Sequence, residues 1–291
     1  MTNQQGKHEV VKAAIWMIGA VLSFTVMAIA GREVSYDLDT FEIMFFRSLI
    51  GIVIVTSVTS YFGKWSEVKT NRLALHSIRN MSHFVGQNLW FYSLPLIPLA
   101  QLIALEFTLP IWVLLLSPIF LNERITKLGA TTAVVGFIGA LMVAQPGGGP
   151  ISIGIVTAAG AAIGFALSAI FTRKLTRDQS ITCILFYLTV MQATFGGICI
   201  LLFSDFNFPA AASVPLVILI GIAGLAAHTC LTNALSLAPA STVMPVDFIR
   251  LPLIAVVGML FYAEPFSIMV FAGAVLIFGA NYFNIIYGRK S

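Results

Sequence analysis

Apolar runs of about twenty residues, each closed by charged or turn-forming residues, follow one another along this chain from end to end. Reading from one polar cluster to the next marks ten helical segments, over 12–31, 41–62, 73–94, 98–120, 127–145, 151–172, 181–203, 213–235, 239–262 and 266–287. The connections are too short for a soluble domain, and the Gly/Pro-rich linker Gly147-Gly148-Gly149-Pro150 falls at the middle of the chain. The pattern predicts an all-α integral membrane protein with ten transmembrane helices. One run is different. In the third, His76, Arg79, Asn80, His83, Gln87 and Trp90 recur at steps of three and four, which is one face of an α-helix. Leu75, Ile78, Phe84, Val85 and Leu89 take the other face. A polar stripe on a membrane helix predicts the wall of an aqueous pathway. The alternative for His76 and Arg79 is that they reach the headgroups at the membrane surface.

Composition narrows the class. Of 291 residues 58% are apolar and only 10% charged, against roughly 25% charged in soluble domains. That argues against a cytosolic enzyme, a nucleic-acid binder or a disordered regulator. The formal charge of +4 is spread in short clusters between apolar runs, so the expected partner is the lipid bilayer and no nucleic acid. Cys183, Cys199 and Cys230 sit inside apolar runs without metal-type spacing and read as buried filler.

Basic residues fix an orientation. With the amino terminus inside, Lys7, Lys12, Lys64, Lys69, Arg72, Arg124, Lys127, Arg173, Lys174, Arg177, Arg289 and Lys290 fall on the cytoplasmic side, and Arg32 alone on the other. Both termini are expected in the cytoplasm. Arg47, Arg79 and Arg250 fall in no loop. The start of the chain, Lys7 and Lys12 before an apolar run and Ala28-Ile29-Ala30, resembles a cleavable leader. Recurrence of the same segment in mid-chain argues against cleavage.

That recurrence covers the whole chain. A shift of 141 positions brings Gly19, Ala20, Phe24, Ala28, Ile29, Arg32 and Asp37 onto Gly160, Ala161, Phe165, Ala169, Ile170, Arg173 and Asp178. Further on, Pro98 meets Pro239, Glu106 meets Asp247, Phe107 meets Phe248 and Glu123 meets Glu264. The expected units are residues 1–146 and 150–291. With five spans each, an odd number, the second must enter the membrane from the opposite side, an inverted repeat of the kind carriers use.

The ending of the fourth span, Pro110 through Phe120-Leu121-Asn122-Glu123-Arg124, resembles the EamA-type drug/metabolite transporter superfamily, as do Phe46-Arg47 early in the second span and the weaker copy Phe261-Tyr262-Ala263-Glu264. Asp247-Phe248-Ile249-Arg250-Leu251-Pro252 looks more like the branch that contains S-adenosylmethionine carriers. The resemblance implies a central cavity lined by spans one, three, four, six, eight and nine, with five and ten at the periphery. It also implies a place in the cell inner membrane, and leaves the solute open among amino acids, nucleotide-linked and methylated metabolites, vitamins and drugs.

Ionisable groups inside a bilayer cost about 2.5–3.5 kcal/mol each on insertion scales, so they face water or a partner. Arg47, Arg79, Glu106, Asp247 and Arg250 lie within apolar runs. The expected solute-binding set is Arg79, His83, Gln87, Trp90, Glu106, His228, Asp247 and Arg250, with His228 at the repeat position of Gln87. Glu106, Asp247, Glu123 and Glu264 are the proton-coupling or gating candidates. Asp247 and Arg250, three apart, can pair on one helix face. Glu106 pairs with Arg79 or Arg47 if it serves only to lock helices, and Asp247–Arg250 can equally be such a lock. Trp16, Trp90, Tyr92 and Trp112 are candidates for an aromatic cage, and Pro110, Pro245 and Pro252 are expected to bend spans four and nine. No catalytic cluster, phosphate loop or metal-ligand spacing occurs, so neither enzyme nor cofactor is called for. The expected function is a secondary active transporter for a small zwitterionic or anionic metabolite, proton-coupled or exchanging, as a monomer or homodimer. The alternatives are a carrier for a cationic or methylated metabolite such as S-adenosylmethionine and, from another class, a passive channel or membrane scaffold.

Overall fold

The structure is a computed structural model that describes residues 2–121, 127–144, 151–237 and 244–287. Among these residues the secondary structure is helical throughout: α1 (Thr2–Val34), α2 (Thr40–Tyr61), α3 (Leu73–Ser93), α4 (Leu99–Glu106), α5 (Leu109–Leu121), α6 (Lys127–Ala144), α7 (Ile153–Leu175), α8 (Ile181–Phe203), α9 (Val214–Leu237), α10 (Arg250–Tyr262) and α11 (Ile268–Tyr287), with short 3-10 turns at Trp65–Glu67 and Met244–Ile249. The Gly147–Pro150 linker and Glu123 lie outside the described residues.

Six stretches are long and apolar enough to cross a membrane: Val11–Val34, Thr40–Tyr61, Leu99–Leu116, Ile153–Leu175, Ile181–Phe203 and Val214–Leu231. Shorter apolar helices span Ala130–Val143, Arg250–Tyr262 and Ile268–Phe283. Large side chains such as Leu201, Leu260, Phe203 and Ile268 are left outside, where only lipid accommodates so much bare hydrocarbon. The chain is a multi-pass membrane protein. Helix α3, with 21 residues or about 30 Å of rise, has the length of a span but lacks the apolarity, because its polar stripe dilutes it.

Local chemistry sets the helix ends. Asp39 and Glu42 form a capping box at the start of α2: the Glu42 N–H donates to Asp39 Oδ1 at 2.9 Å and the Asp39 N–H to Glu42 Oε2 at 3.0 Å. Ser180 caps α8 through the Cys183 N–H at 3.1 Å. Pro110 has no N–H to give to the carbonyl of Glu106, so the fourth run is not one helix but two, separated at Phe107-Thr108. Two carbonyls at the break find donors. Asn281 Nδ2 of α11 donates to Phe107 O at 3.1 Å, and Thr108 Oγ1 to Leu105 O at 2.7 Å. The start of α10 is delayed in the same way, with Pro252 in its first turn, where a missing N–H costs nothing.

Packing pairs the helices across the two halves of the chain. Helix α1 lies against α9, α3 against α7, α2 against α8, α6 against α11, and α4 against α10. Exchanging each helix for its counterpart 141 positions away turns the α1–α9 and α3–α7 pairings into each other and the α2–α8 and α6–α11 pairings into themselves. Loop contacts repeat the relation. Asp37 accepts from the Ala210 N–H at 2.9 Å and from Ser213, which holds its carboxyl below the ordinary value. Asp178, its counterpart, accepts from Arg72 Nε at 2.7 Å, and this bond likewise holds its carboxyl low. The shift carries Ser213 onto Arg72.

Two crossings are close enough to exclude any side chain. A Cβ on Gly164 of α7 would stand 2.7 Å from Gly86 Cα of α3, and one on Gly139 of α6 would stand 2.7 Å from the Gly273 carbonyl oxygen of α11. Backbone cannot yield as a flexible side chain does. Gly164→Val is expected to cost about 1–3 kcal/mol, read as a lowered unfolding temperature of the purified protein, whereas the same change at Gly279, which faces open space, leaves it near the parent value.

Candidate functional site

The two broken helices bring three charges together. Glu106 ends α4, Arg250 opens α10, and Asp247 lies in the 3-10 turn before it. Arg250 Nη2 donates to Glu106 Oε1 at 2.9 Å and to Asp247 Oδ2 at 3.1 Å. The guanidinium is 3% exposed and the two carboxylates about 15%. Its carbon lies 5.2 Å from the ring centroids of both Phe24 and Phe107. Trp90 Nε1 of α3 donates to the remaining oxygen of Glu106 at 2.9 Å. Helices α1, α3, α4 and α10 therefore meet at one buried ion cluster, two carboxylates against one guanidinium. Asp247 Oδ1 and Arg250 Nε are buried there without a hydrogen-bond partner among the described residues.

A second polar group also contacts the Phe24 ring. His228 of α9 meets Phe24 edge-on at 5.9 Å and His83 of α3 at 5.5 Å. His83 also contacts Phe165, the repeat counterpart of Phe24, at 5.7 Å. Arg47 of α2 donates through Nη1 to Gln87 Oε1, with its guanidinium 5.8 Å from the Phe91 ring.

These contacts correct several expectations. Glu106 pairs with neither Arg79 nor Arg47; its ionic partner is Arg250, from the other half of the chain. Arg79 instead donates to Thr172 Oγ1 of α7 at 3.0 Å and to Asn80 Oδ1 at 2.7 Å, and it is 5% exposed. His76 is fully buried, 4.5 Å from the Tyr187 ring. Both are enclosed by protein, because the polar face of α3 is covered by α7 and α8. Of the four aromatics expected to form a cage, only Trp90 joins the cluster. Trp16 and Tyr92 are exposed on the outside, and Trp112 packs edge-on against Phe137. Phe24 and Phe107 take their place. The signal that marked them was their recurrence at 165 and 248 in the shifted alignment.

Glu264 is held at the far end of α10. Ala263 adopts a left-handed conformation (φ 52°), with its N–H and that of Glu264 both returned to Gly258 O. This turn aims the carboxylate at α1 and α4. It forms an ion pair with Arg32 and accepts from the Leu99 N–H, the first of α4, at 3.0 Å. Beside it Tyr262 OH donates to Glu33 at 2.7 Å, and Arg32 lies 4.5 Å from the Tyr262 ring. Glu123, its expected counterpart, falls outside the described residues.

Comparison with known proteins agrees with this architecture. A protein of known crystal structure superposes with a TM-score of 0.65 over 96% of this chain and 99% of its own, at 18% identity, which shows a shared fold. The S-adenosylmethionine uptake transporter of Rickettsia bellii is 26% identical over 284 residues, 94% of this chain and 93% of its own. The riboflavin transporter of Brucella anthropi is 29% identical over 82% of this chain and 85% of its own. The pseudopaline exporter of Pseudomonas aeruginosa is 31% identical over 89% and 90%. The model of the EamA-like transporter family matches twice, over residues 11–145 and 152–286. With both halves matched, this chain belongs to the EamA-like transporter family.

Proposed function

We propose that this chain is a secondary active carrier for a small zwitterionic metabolite, and that Glu106 and Asp247 receive the solute's cationic group. The reading includes ten membrane spans in two inverted units, residues 1–146 and 150–291, with both termini cytoplasmic, in the inner membrane. The observation that carries it is the ion cluster at two helix breaks. Asp247 Oδ1 and Arg250 Nε have no hydrogen-bond partner among the described residues, which leaves bonding capacity at the cluster for a solute. Two carboxylates against one guanidinium also leave one formal negative charge for a cation to neutralise. Broken helices with polar groups at mid-depth are where carriers hold their solutes.

Arg250 is the internal competitor of the solute. A cationic group that approaches Glu106 or Asp247 takes over part of the bonding that Arg250 now provides, with Trp90, Phe24 and Phe107 offering ring faces to the rest of the molecule. A proton on either carboxylate competes for the same charge. Pairing of α1, α2, α3 and α6 with α9, α8, α7 and α11, unchanged by exchange of the halves, supports an alternating-access motion about this cluster. The Arg32–Glu264 and Tyr262–Glu33 contacts serve as the closed gate at one end. S-adenosylmethionine, named for the Rickettsia relatives, has the required chemistry: a sulfonium, an ammonium, a carboxylate and an aromatic base.

Glu106→Gln and Asp247→Asn are each expected to reduce S-adenosylmethionine counterflow into proteoliposomes at least tenfold, with unfolding temperatures near the parent's because the other carboxylate still holds Arg250. Normal counterflow in both variants overturns the site. Arg250→Gln removes the shared partner, leaves two buried carboxylates face to face, and is expected to destabilise the fold by about 3–5 kcal/mol. Cysteines placed at the exposed, repeat-related positions Tyr36 and Arg177 are expected to react with an impermeant maleimide from opposite faces of the membrane; reaction from one face rejects the inverted arrangement.

A further inference from the structure

Arg47 is the intramembrane charge that the ion cluster leaves unexplained. Arg32 has Glu264, Arg250 has two carboxylates, and Arg79 is enclosed with its donors on Thr172 and Asn80. Arg47 makes no ion pair among the described residues; its partners are Gln87 Oε1 and, at 3.6 Å, Met44 Sδ. A guanidinium in the hydrocarbon region without a counter-ion is costly, and such residues mark the path of a solute or ion.

The surroundings of Arg47 are built to leave space beside it. A small cleft between α2, α3, α8 and α9 is lined by Arg47, Ser48, His83, Thr189 and His228, with no acidic side chain among the described residues that line it. His83 is 5% exposed, yet its Nε2 has no hydrogen-bond partner among the described residues. Gly224 lies where α9 passes the guanidinium. A Cβ there would stand 2.7 Å from Arg47 Nη2, so glycine is what lets the charge lie against α9 at the cleft. The walls thus present a fixed positive charge, ring nitrogens and hydroxyls, in a low-dielectric setting where an anion is strongly held.

We propose that this cleft is an anion subsite that takes the carboxylate of the transported solute, with Arg47 supplying the charge and His83 Nε2 a hydrogen bond. The inference rests on the carrier reading for the identity of that carboxylate, and it assigns it to a different arginine from those marked in the sequence. Arg250 is ion-paired and Arg79 is enclosed by Thr172 and Asn80, whereas Arg47, held by Gln87, borders the cleft. The Phe24 ring contacts both poles, with Arg250 5.2 Å from its centroid and the His228 ring 5.9 Å from it. A zwitterion laid along this ring places its cation at Glu106 and Asp247 and its carboxylate at Arg47. A solute lacking either charge leaves one pole uncompensated.

The test needs no transported solute. Thermal unfolding of the purified full-length protein is followed in sodium acetate, in acetamide as the neutral isostere, and in sodium chloride at equal ionic strength. Ligand binding to the folded form is expected to raise the midpoint in acetate over chloride by about 2 °C or more at several times the dissociation constant, with no rise in acetamide. Arg47→Gln is expected to abolish the acetate rise and Arg47→Lys to retain part of it. Gly224→Ala, which displaces the guanidinium without removing it, reduces the rise by at least half and keeps the test open if Arg47→Gln fails to fold. Glu106→Gln leaves the rise intact. Absence of an acetate response in the parent protein, or an equal response in Arg47→Gln or Gly224→Ala, overturns the subsite. An Arg47-dependent response in a protein that shows no counterflow rejects the carrier reading and leaves the anion site standing, so the two failures are told apart.

Discussion

The arginine at the start of α10 holds the centre of this protein together. Lipid surroundings offer no water to solvate Arg250, so its charge is tolerable only where carboxylates reach it. Glu106 comes from a helix that Pro110 has broken, and Asp247 from the turn that precedes α10. An unbroken fourth span would carry its backbone straight past this point. The breaks also give Trp90 and Asn281 their tasks, one on the Glu106 carboxylate and the other on the Phe107 carbonyl. Proline placement, ion pairing and indole orientation are consequences of one another.

Around this centre, helices of one half pack mainly on helices of the other. Among the described residues, the closest backbone-to-backbone crossings are made by glycine against glycine, at Gly86 with Gly164 and at Gly139 with Gly273. Without a hydrophobic driving force between helices in lipid, close backbone approach and the polar contacts it permits hold the bundle. The loop contacts at Asp37 and Asp178 add a matching pair of ties, each joining the end of one helix to the segment before another in the opposite half.

Much of this was legible from residue order. Lipid demands about twenty apolar residues per crossing, so the helices stand close to where the apolar runs were marked, and the polar face of α3 followed from its three-and-four spacing. Pro110 announced the break in the fourth span. Partnership was not legible. Spacing along a helix shows which side chains share a face but not which helix that face meets, so Glu106 was matched with Arg79 or Arg47 when its partner lay 144 positions away. The contribution of Phe24 escaped because a phenylalanine in an apolar run carries no polar signal, and its recurrence at 165 was the one mark it left. Arg47 had no copy in the second half, where Leu188 stands, and Gln87 and Gly224 acquire their relation to it only in three dimensions.

Glu264 stands outside all of these pairings and yet touches three helices. Its carboxylate grips Arg32 of α1 while accepting the first amide of α4, and its aim depends on the left-handed Ala263 at the end of α10. Drawing α1 away from α10 therefore also exposes an amide dipole at the tip of α4. One carboxylate thus serves as a common tether for three helix tips, so displacing any of them disturbs a bond made by the others.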